Sequence, residues 1–369
     1  MRRIPLEEIK DGDIIGQPLF DDQGRILLKA GIVITERLKE KIIGLQIHSI
    51  YIADSHADVG SLSDVISPTI RHDAIKTVKR IYDSFVSEET VRNNRSQKNR
   101  SFSENTHIVS LNKTVDAILM EVFSNTHALV EMVDIKKMDH YLYEHAVNTA
   151  VLSLLIGLEL KLPERDLRRL IVASLLMDVG NGLIDQKLLE HPGPLHLDQF
   201  EEIKQHVRKG FDFVKEHSDV PINVRNLIPQ HHERINGSGY PSGLRGDSID
   251  PLARIIAVAD AYDAMTSDRP HRNAYPPSEA LEKIMGDAGI LYDFNVVNLF
   301  AKRVIAYPNG TYVKLSNGDI GEIIASNKDI PLRPVVEILK YGNHNEKYLT
   351  LDLKHNLSIV ITNVVYQVD

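Results

Sequence analysis

From Ser110 to Arg303 the chain runs in long segments whose apolar residues recur at helical spacing. They are broken by Pro163, Pro192, Pro194 and a cluster of glycines near residue 240, with almost no strand-like alternation. Such periodicity gives each helix one apolar face that must be covered by other helices. This stretch is therefore expected to form an all-helical domain. No other feature of the sequence restricts the fold as much.

The flanks read differently. Asp22-Gln23-Gly24 is a turn signal between Ile14–Phe20 and Arg25–Leu28, which predicts a hairpin. Thr35 can cap a helix that places Leu38, Ile42 and Leu45 on one face, and Ser49–Ile52 reads as a returning strand. Pro68 opens a helix with Ile70, Ala74, Val78, Ile81 and Phe85 at helical spacing. Asn93 to Ser103 is polar, basic and nearly devoid of apolar residues, and is expected to be a mobile linker. Beyond Tyr307, turn signals at Pro308-Asn309-Gly310 and Asn317-Gly318 flank strand candidates at Tyr312–Leu315 and Ile320–Ile324. Val335–Leu339, Tyr348–Leu353 and Ser358–Val365 continue that series, which predicts a small β-barrel. The expectation is a multidomain chain. It comprises an N-terminal α+β module (1–66), a helix and polar linker (67–109), the helical domain (110–305) and a C-terminal β domain (306–369). The two flanking modules are expected to pack separately on either side of the helical domain.

Composition excludes several classes of function. Cysteine is absent, so disulfides, thiolate metal sites and cysteine nucleophiles do not arise. A formal net charge of −8 argues against binding a nucleic-acid polymer. The N-terminal arginines are not followed by an apolar segment, and the apolar stretch at Ala150–Leu158 is too short to cross a bilayer. No membrane span and a cytoplasmic location are expected.

The helical stretch also carries the residues able to hold a metal. His145 lies in YEHAVNTAVLSLLIG, Asp178 ends LIVASLLMD, and His206 lies in EEIKQHVRKG. His231 and His232 are adjacent in PQHHERINGSGYP, and Asp260 lies in ARIIAVADAYDAM. Each follows or sits within an apolar helical run and can point inward. Inward imidazoles and carboxylates need compensation, which a divalent ion supplies. Nitrogen and carboxylate donors suit iron, manganese or zinc. A single histidine beside apolar residues is more often a hydrogen-bonded structural group, and His56, His72, His217 and His344 are read as that or as exposed. The adjacent pair before a glycine-rich turn sets the other histidines apart.

The string HHERINGSGYPSGL, His231 to Leu244, resembles the signature of the HD-GYP family of cyclic di-GMP phosphodiesterases, with Gly239-Tyr240-Pro241 as its triplet. DVGNGLIDQKLLEHPGPL resembles the segment around that family's HD pair, and EEIKQHVRKG its next histidine block. ARIIAVADAYDAMTSDRPHRNA resembles its final aspartate and arginine block. The order is preserved over residues 110 to 305. The resemblance implies a central HD-type fold and metal ligands at His145, Asp178, His206, His231, His232 and Asp260, with Asp178 bridging metals and serving catalysis. It implies iron or manganese, one or two ions, and cyclic di-GMP as ligand. Arg269, Arg272, Asn181 and Tyr240 fall on the substrate-binding side.

Two departures stand out. The family's histidine before the aspartate is Met177, a soft thioether donor poorly matched to such ions and at home in a core. The family's phosphate-contacting lysine is Asn181, which brings no charge. A glutamate that some members place four residues before the first histidine is Tyr141, which argues against a third ion. Two readings follow: a metal-dependent phosphodiesterase of reduced activity, or a receptor that binds cyclic di-GMP or metal and signals through its flanks. Hydrolysis of another phosphate ester is a third, which the GYP turn disfavours. Protein partners at the flanking domains and a homodimer are compatible with the sequence.

Overall fold

The computed structural model describes residues 2–20, 25–44, 49–53, 65–92, 103–124, 141–189, 191, 193, 195–217, 219–267, 274–342 and 349–366. The N-terminal module contains β1 (Arg2–Pro5), β2 (Ile14–Ile15), β3 (Leu19–Phe20), β4 (Ile26–Leu28), α1 (Glu36–Ile43) and β5 (Ser49–Ala53). Two longer helices follow, α2 (Pro68–Arg92) and α3 (Ser103–Ser124). The central helices are α4 (Tyr141–Glu159), α5 (Glu164–Leu176), α6 (Gln186–Leu189), α7 (Leu197–His217), α8 (Ile222–Arg225), α9 (Pro251–Met265), α10 (Pro277–Gly286) and α11 (Phe294–Ala301). The chain ends in β6 (Tyr312–Leu315), β7 (Ile320–Ala325), β8 (Val335–Lys340), β9 (Thr350–Asp352) and β10 (Ile361–Val365). Among the described residues, no helix is long and apolar enough to cross a membrane.

The N-terminal strands form a three-stranded sheet of order β1-β5-β2 and a separate pair, β3-β4. The segment Ile14–Phe20, read from sequence as one strand, is split between the two sheets. Pro18 lies between its two halves and has no N–H to continue a ladder. Thr35 caps α1 as expected, its Oγ1 accepting from the Leu38 N–H at 3.3 Å. The tip of the hairpin, residues 21–24, lies outside the described residues, as does the linker reading for 93–102.

In the helical domain α4 is the central post. Every side chain from His145 to Gly157 is buried, the pattern of a helix covered on all sides. It packs against α2, α5, α9 and α11. The C-terminal sheet is antiparallel, in the order β10-β6-β7-β8-β9. Its inward residues Val313, Leu315, Ile323, Val336, Leu351 and Leu353 belong to the same continuous core as the helices. The C-terminal sheet is therefore not a separately packed flank. The N-terminal module buries a cluster of Ile4, Ile9, Ile15, Ile34, Ile42, Ile50 and Ile52, with Tyr366 from beyond β10 packed against it.

Candidate metal centre

Five segments of the helical domain deliver the site. His145 is one turn into α4, Asp178 follows the end of α5, and His206 lies midway along α7. His231 and His232 follow a short 3₁₀ turn at Ile228–Gln230, and Asp260 lies on α9. All six sequence-predicted ligands converge. Asp178, His206, His231 and His232 each offer a donor atom, and these atoms lie within 4.8 Å of one another. His145 Nε2 lies 3.0 Å from Asp260 Oδ1 and 3.5 Å from Asp178 Oδ2. His232 Nδ1 is 3.5 Å from Asp260 Oδ2.

Backbone carbonyls set the protonation of two imidazoles. His206 Nδ1 is 2.7 Å from the Ile203 carbonyl oxygen, and His231 Nδ1 is 2.6 Å from that of Ile228. A carbonyl only accepts, so each Nδ1 carries the proton and each Nε2 of the neutral ring presents a lone pair to the cluster. Both Nε2 atoms are buried and lack a hydrogen bond of proper geometry, although His206 Nε2 lies 3.2 Å from Asp178 Oδ1. Two buried imidazole nitrogens without a well-formed hydrogen bond, beside a buried carboxylate, fit a divalent cation, because unpaired buried polar atoms are otherwise costly. Three imidazoles and a carboxylate are a borderline donor set of the kind that takes first-row metals.

The electrostatics agree with that fit. Burial disfavours ionised Asp178, yet His206, His145 and His231 hold its carboxyl below the ordinary carboxylate range. Burial lowers His231, and burial together with the neighbouring imidazoles lowers His232 further, which keeps both rings neutral. For His206, attraction to Asp178 outweighs burial and raises its pKa.

Close backbone approach fixes where Asp178 meets α7. A Cβ on Gly180 would lie 1.9 Å from the His206 carbonyl oxygen and 2.5 Å from the Gly210 nitrogen. Only glycine lets the turn after Asp178 lie on α7 at this height. The loop after His232 is held from inside by Glu233, whose carboxylate accepts from the Ser242 N–H at 2.8 Å and the Leu244 N–H at 2.9 Å. Gly239 in that loop lies against the backbone of His232–Arg234, where a Cβ would come within 2.4 Å of the Arg234 nitrogen.

Residues 128–296 match the HD domain family, and residues 312–368 match the KOW domain associated with HD domain. The chain is 34% identical over 224 residues to cyclic di-GMP phosphodiesterase PA4108 of Pseudomonas aeruginosa, covering 61% of this chain and 54% of that protein. It is 39% identical over 140 residues to the cyclic di-GMP phosphodiesterase response regulator RpfG of Xanthomonas campestris, covering 38% and 37%. Over 141 residues it is 33% identical to 3'3'-cGAMP-specific phosphodiesterase 3 of Vibrio cholerae, covering 38% and 30%. The chain carries an HD domain over residues 128–296. It spans between 30% and 54% of the length of these relatives.

In this HD domain Met177 is fully buried in the hydrophobic core. Asn181 turns its amide onto the cluster, Nδ2 donating to Asp178 Oδ1 at 3.0 Å. The Tyr240 ring lies tilted at 36° against His232, with ring centroids 4.7 Å apart. Arg269 and Arg272 lie outside the described residues. Sequence reasoning overlooked Asp263, which is completely buried and accepts from His145 Nδ1 at 2.7 Å, orienting that ring as an outer carboxylate does for a metal-binding histidine. Its spacing of three residues from Asp260, on one helix face, was the available signal. It also overlooked Lys204 and Phe200 on α7. The Lys204 ammonium lies 4.8 Å from the Phe200 ring centroid and 5.3 Å from that of Tyr240.

Proposed function

We propose that the chain is a metal-dependent phosphodiesterase that opens cyclic di-GMP. The observation that carries this reading is the convergence of Asp178, His206, His231 and His232 with two orphaned imidazole nitrogens facing the gap between them. The similar proteins named as cyclic di-GMP phosphodiesterases support the substrate. A bound divalent ion makes water acidic enough to attack at neutral pH and offsets charge on the phosphate.

The chain's own groups do the rest. Asp178, His206, His231 and His232 hold one ion, and His145 with Asp260 flank Asp178 where a second would bind. Iron or manganese is the proposed metal. Asp263 keeps His145 turned inward. Lys204 and Tyr240 line the approach to His232, where an ammonium and an aromatic face suit a phosphate and a purine. Lys204 thereby restores charge that Asn181 does not bring, and Arg269 and Arg272 add guanidinium contacts to phosphate. In this reading the five C-terminal strands close into a small barrel, the N-terminal module ends near residue 66 and the C-terminal domain begins near residue 306, while α3 runs unbroken through residue 109. The protein works in the cytoplasm, as a homodimer, with the flanking domains meeting protein partners.

A second reading, a receptor with little turnover, is favoured by one observation: Met177 is sequestered in the core and Asn181 is engaged with Asp178. The test is metal analysis of purified protein paired with a hydrolysis assay on cyclic di-GMP in manganese and in iron(II), with products identified. Bound metal with turnover to linear dinucleotide or GMP supports the enzyme. Bound metal and nucleotide without turnover supports the receptor. Protein that takes up neither defeats both.

A further inference from the structure

Helix α2 ends at Arg92 and so lies wholly before residue 128, where the match to the HD domain begins. Yet it packs against α4 and against the turn at Val179–Leu183 that follows Asp178. Tyr82 on this helix is 2% exposed, and its hydroxyl donates to the Leu175 carbonyl at 3.1 Å. Leu175 is in the last turn of α5, where carbonyls have no partner along the helix. The Tyr82 ring is held edge-on by Tyr143 of α4, with centroids 5.6 Å apart at 72°. Tyr143 in turn donates to Asp83 at 3.3 Å.

We propose that Tyr82 is a positioning residue of the metal centre: its hydroxyl bridges α2 to the end of α5, three residues before Asp178, and so sets where that carboxylate stands. A segment upstream of the HD domain is then a working part of the site. Any displacement of α2 along α4 would be felt at Asp178 first, because α2 holds the Leu175 carbonyl on one side of it and packs against the turn at Val179–Leu183 on the other. This inference rests on the metal reading above.

The test uses the full chain with Tyr82→Phe, which keeps the ring and removes the bridge. Cobalt(II) affinity is measured by chelator competition, together with the cobalt absorption spectrum and the melting temperature of metal-free protein. The expected result is a loss of about tenfold in cobalt affinity with an altered spectrum, the scale of losing an outer partner of a ligand. Ile284→Val, in the core of α10, serves as a control that should lower melting temperature while leaving affinity and spectrum unchanged. Tyr82→Phe with wild-type affinity and spectrum overturns the inference alone. Wild-type protein that binds no cobalt overturns the metal reading and this inference with it.

Discussion

Met177 and Asp178 are neighbours with opposite fates. One is sealed into the hydrophobic core, and the other is a buried carboxylate ringed by imidazoles. A thioether adds little to a site of nitrogen and oxygen donors, so on the proposed reading Met177 costs the site a ligand while leaving the placement of the remaining groups intact. Met177→His should raise metal content and increase cyclic di-GMP hydrolysis by roughly tenfold. The core should tolerate the exchange at a cost of about 1–2 kcal/mol. A folded variant with unchanged metal stoichiometry and turnover would show that the methionine is not limiting. Lys204→Ala addresses the substrate side. Its ammonium sits over the Phe200 and Tyr240 rings and pairs with Glu201 at 2.6 Å, with a quarter of the side chain exposed. On the proposed reading, in which this charge meets phosphate, its removal should raise KM by roughly tenfold while metal content stays constant. Steady-state kinetics in the manganese form read this directly, and an unchanged KM would remove Lys204 from the substrate site.

At the scale of elements, the site depends on how closely a turn and a helix approach. The turn after Asp178 lies on α7 at Gly180, with Gly210 opposite and the His206 carbonyl directly above. Gly180→Ala would force α7 outward, carrying His206 away from Asp178. The expected cost is about 1–3 kcal/mol of stability, as for overpacking elsewhere, together with a loss of metal affinity. Denaturant unfolding and metal analysis of the same preparation test it. Stability lost without any loss of metal would mean that the turn, rather than α7, yields. Both glycines were visible in the sequence, in DVGNG and in VRKG, but two glycines thirty positions apart do not announce that they touch. The helices themselves were legible because their period is local. The split of Ile14–Phe20 between two sheets was not, because partner choice for a short strand depends on where β5 and β4 lie.

At the scale of the whole molecule, the described residues form two cores rather than three. The N-terminal module closes on its own isoleucines, while the C-terminal sheet faces inward onto the helices and shares their apolar interior. Calorimetry of the full chain is therefore expected to resolve one transition for the N-terminal module and a second for the helices and C-terminal sheet together. A third transition, melting the C-terminal strands on their own, would contradict the shared core. Cooperative melting of this kind follows from a continuous interior, because exposing one wall of it leaves the other uncovered.

The sequence by itself determined the helical character of the middle of the chain, the strands of its tail and the order of the six residues brought together at the centre. These are written in local period and short strings, which need no knowledge of distant contacts. Only the tertiary structure decided that Tyr82 of α2 reaches the Leu175 carbonyl at the end of α5, that Asp263 orients His145, and that the C-terminal sheet lends its inner face to the helical core. Each of these is a contact between residues far apart in sequence. Whether such residues meet is settled by the packing of whole apolar faces, a property that no local stretch of the chain carries.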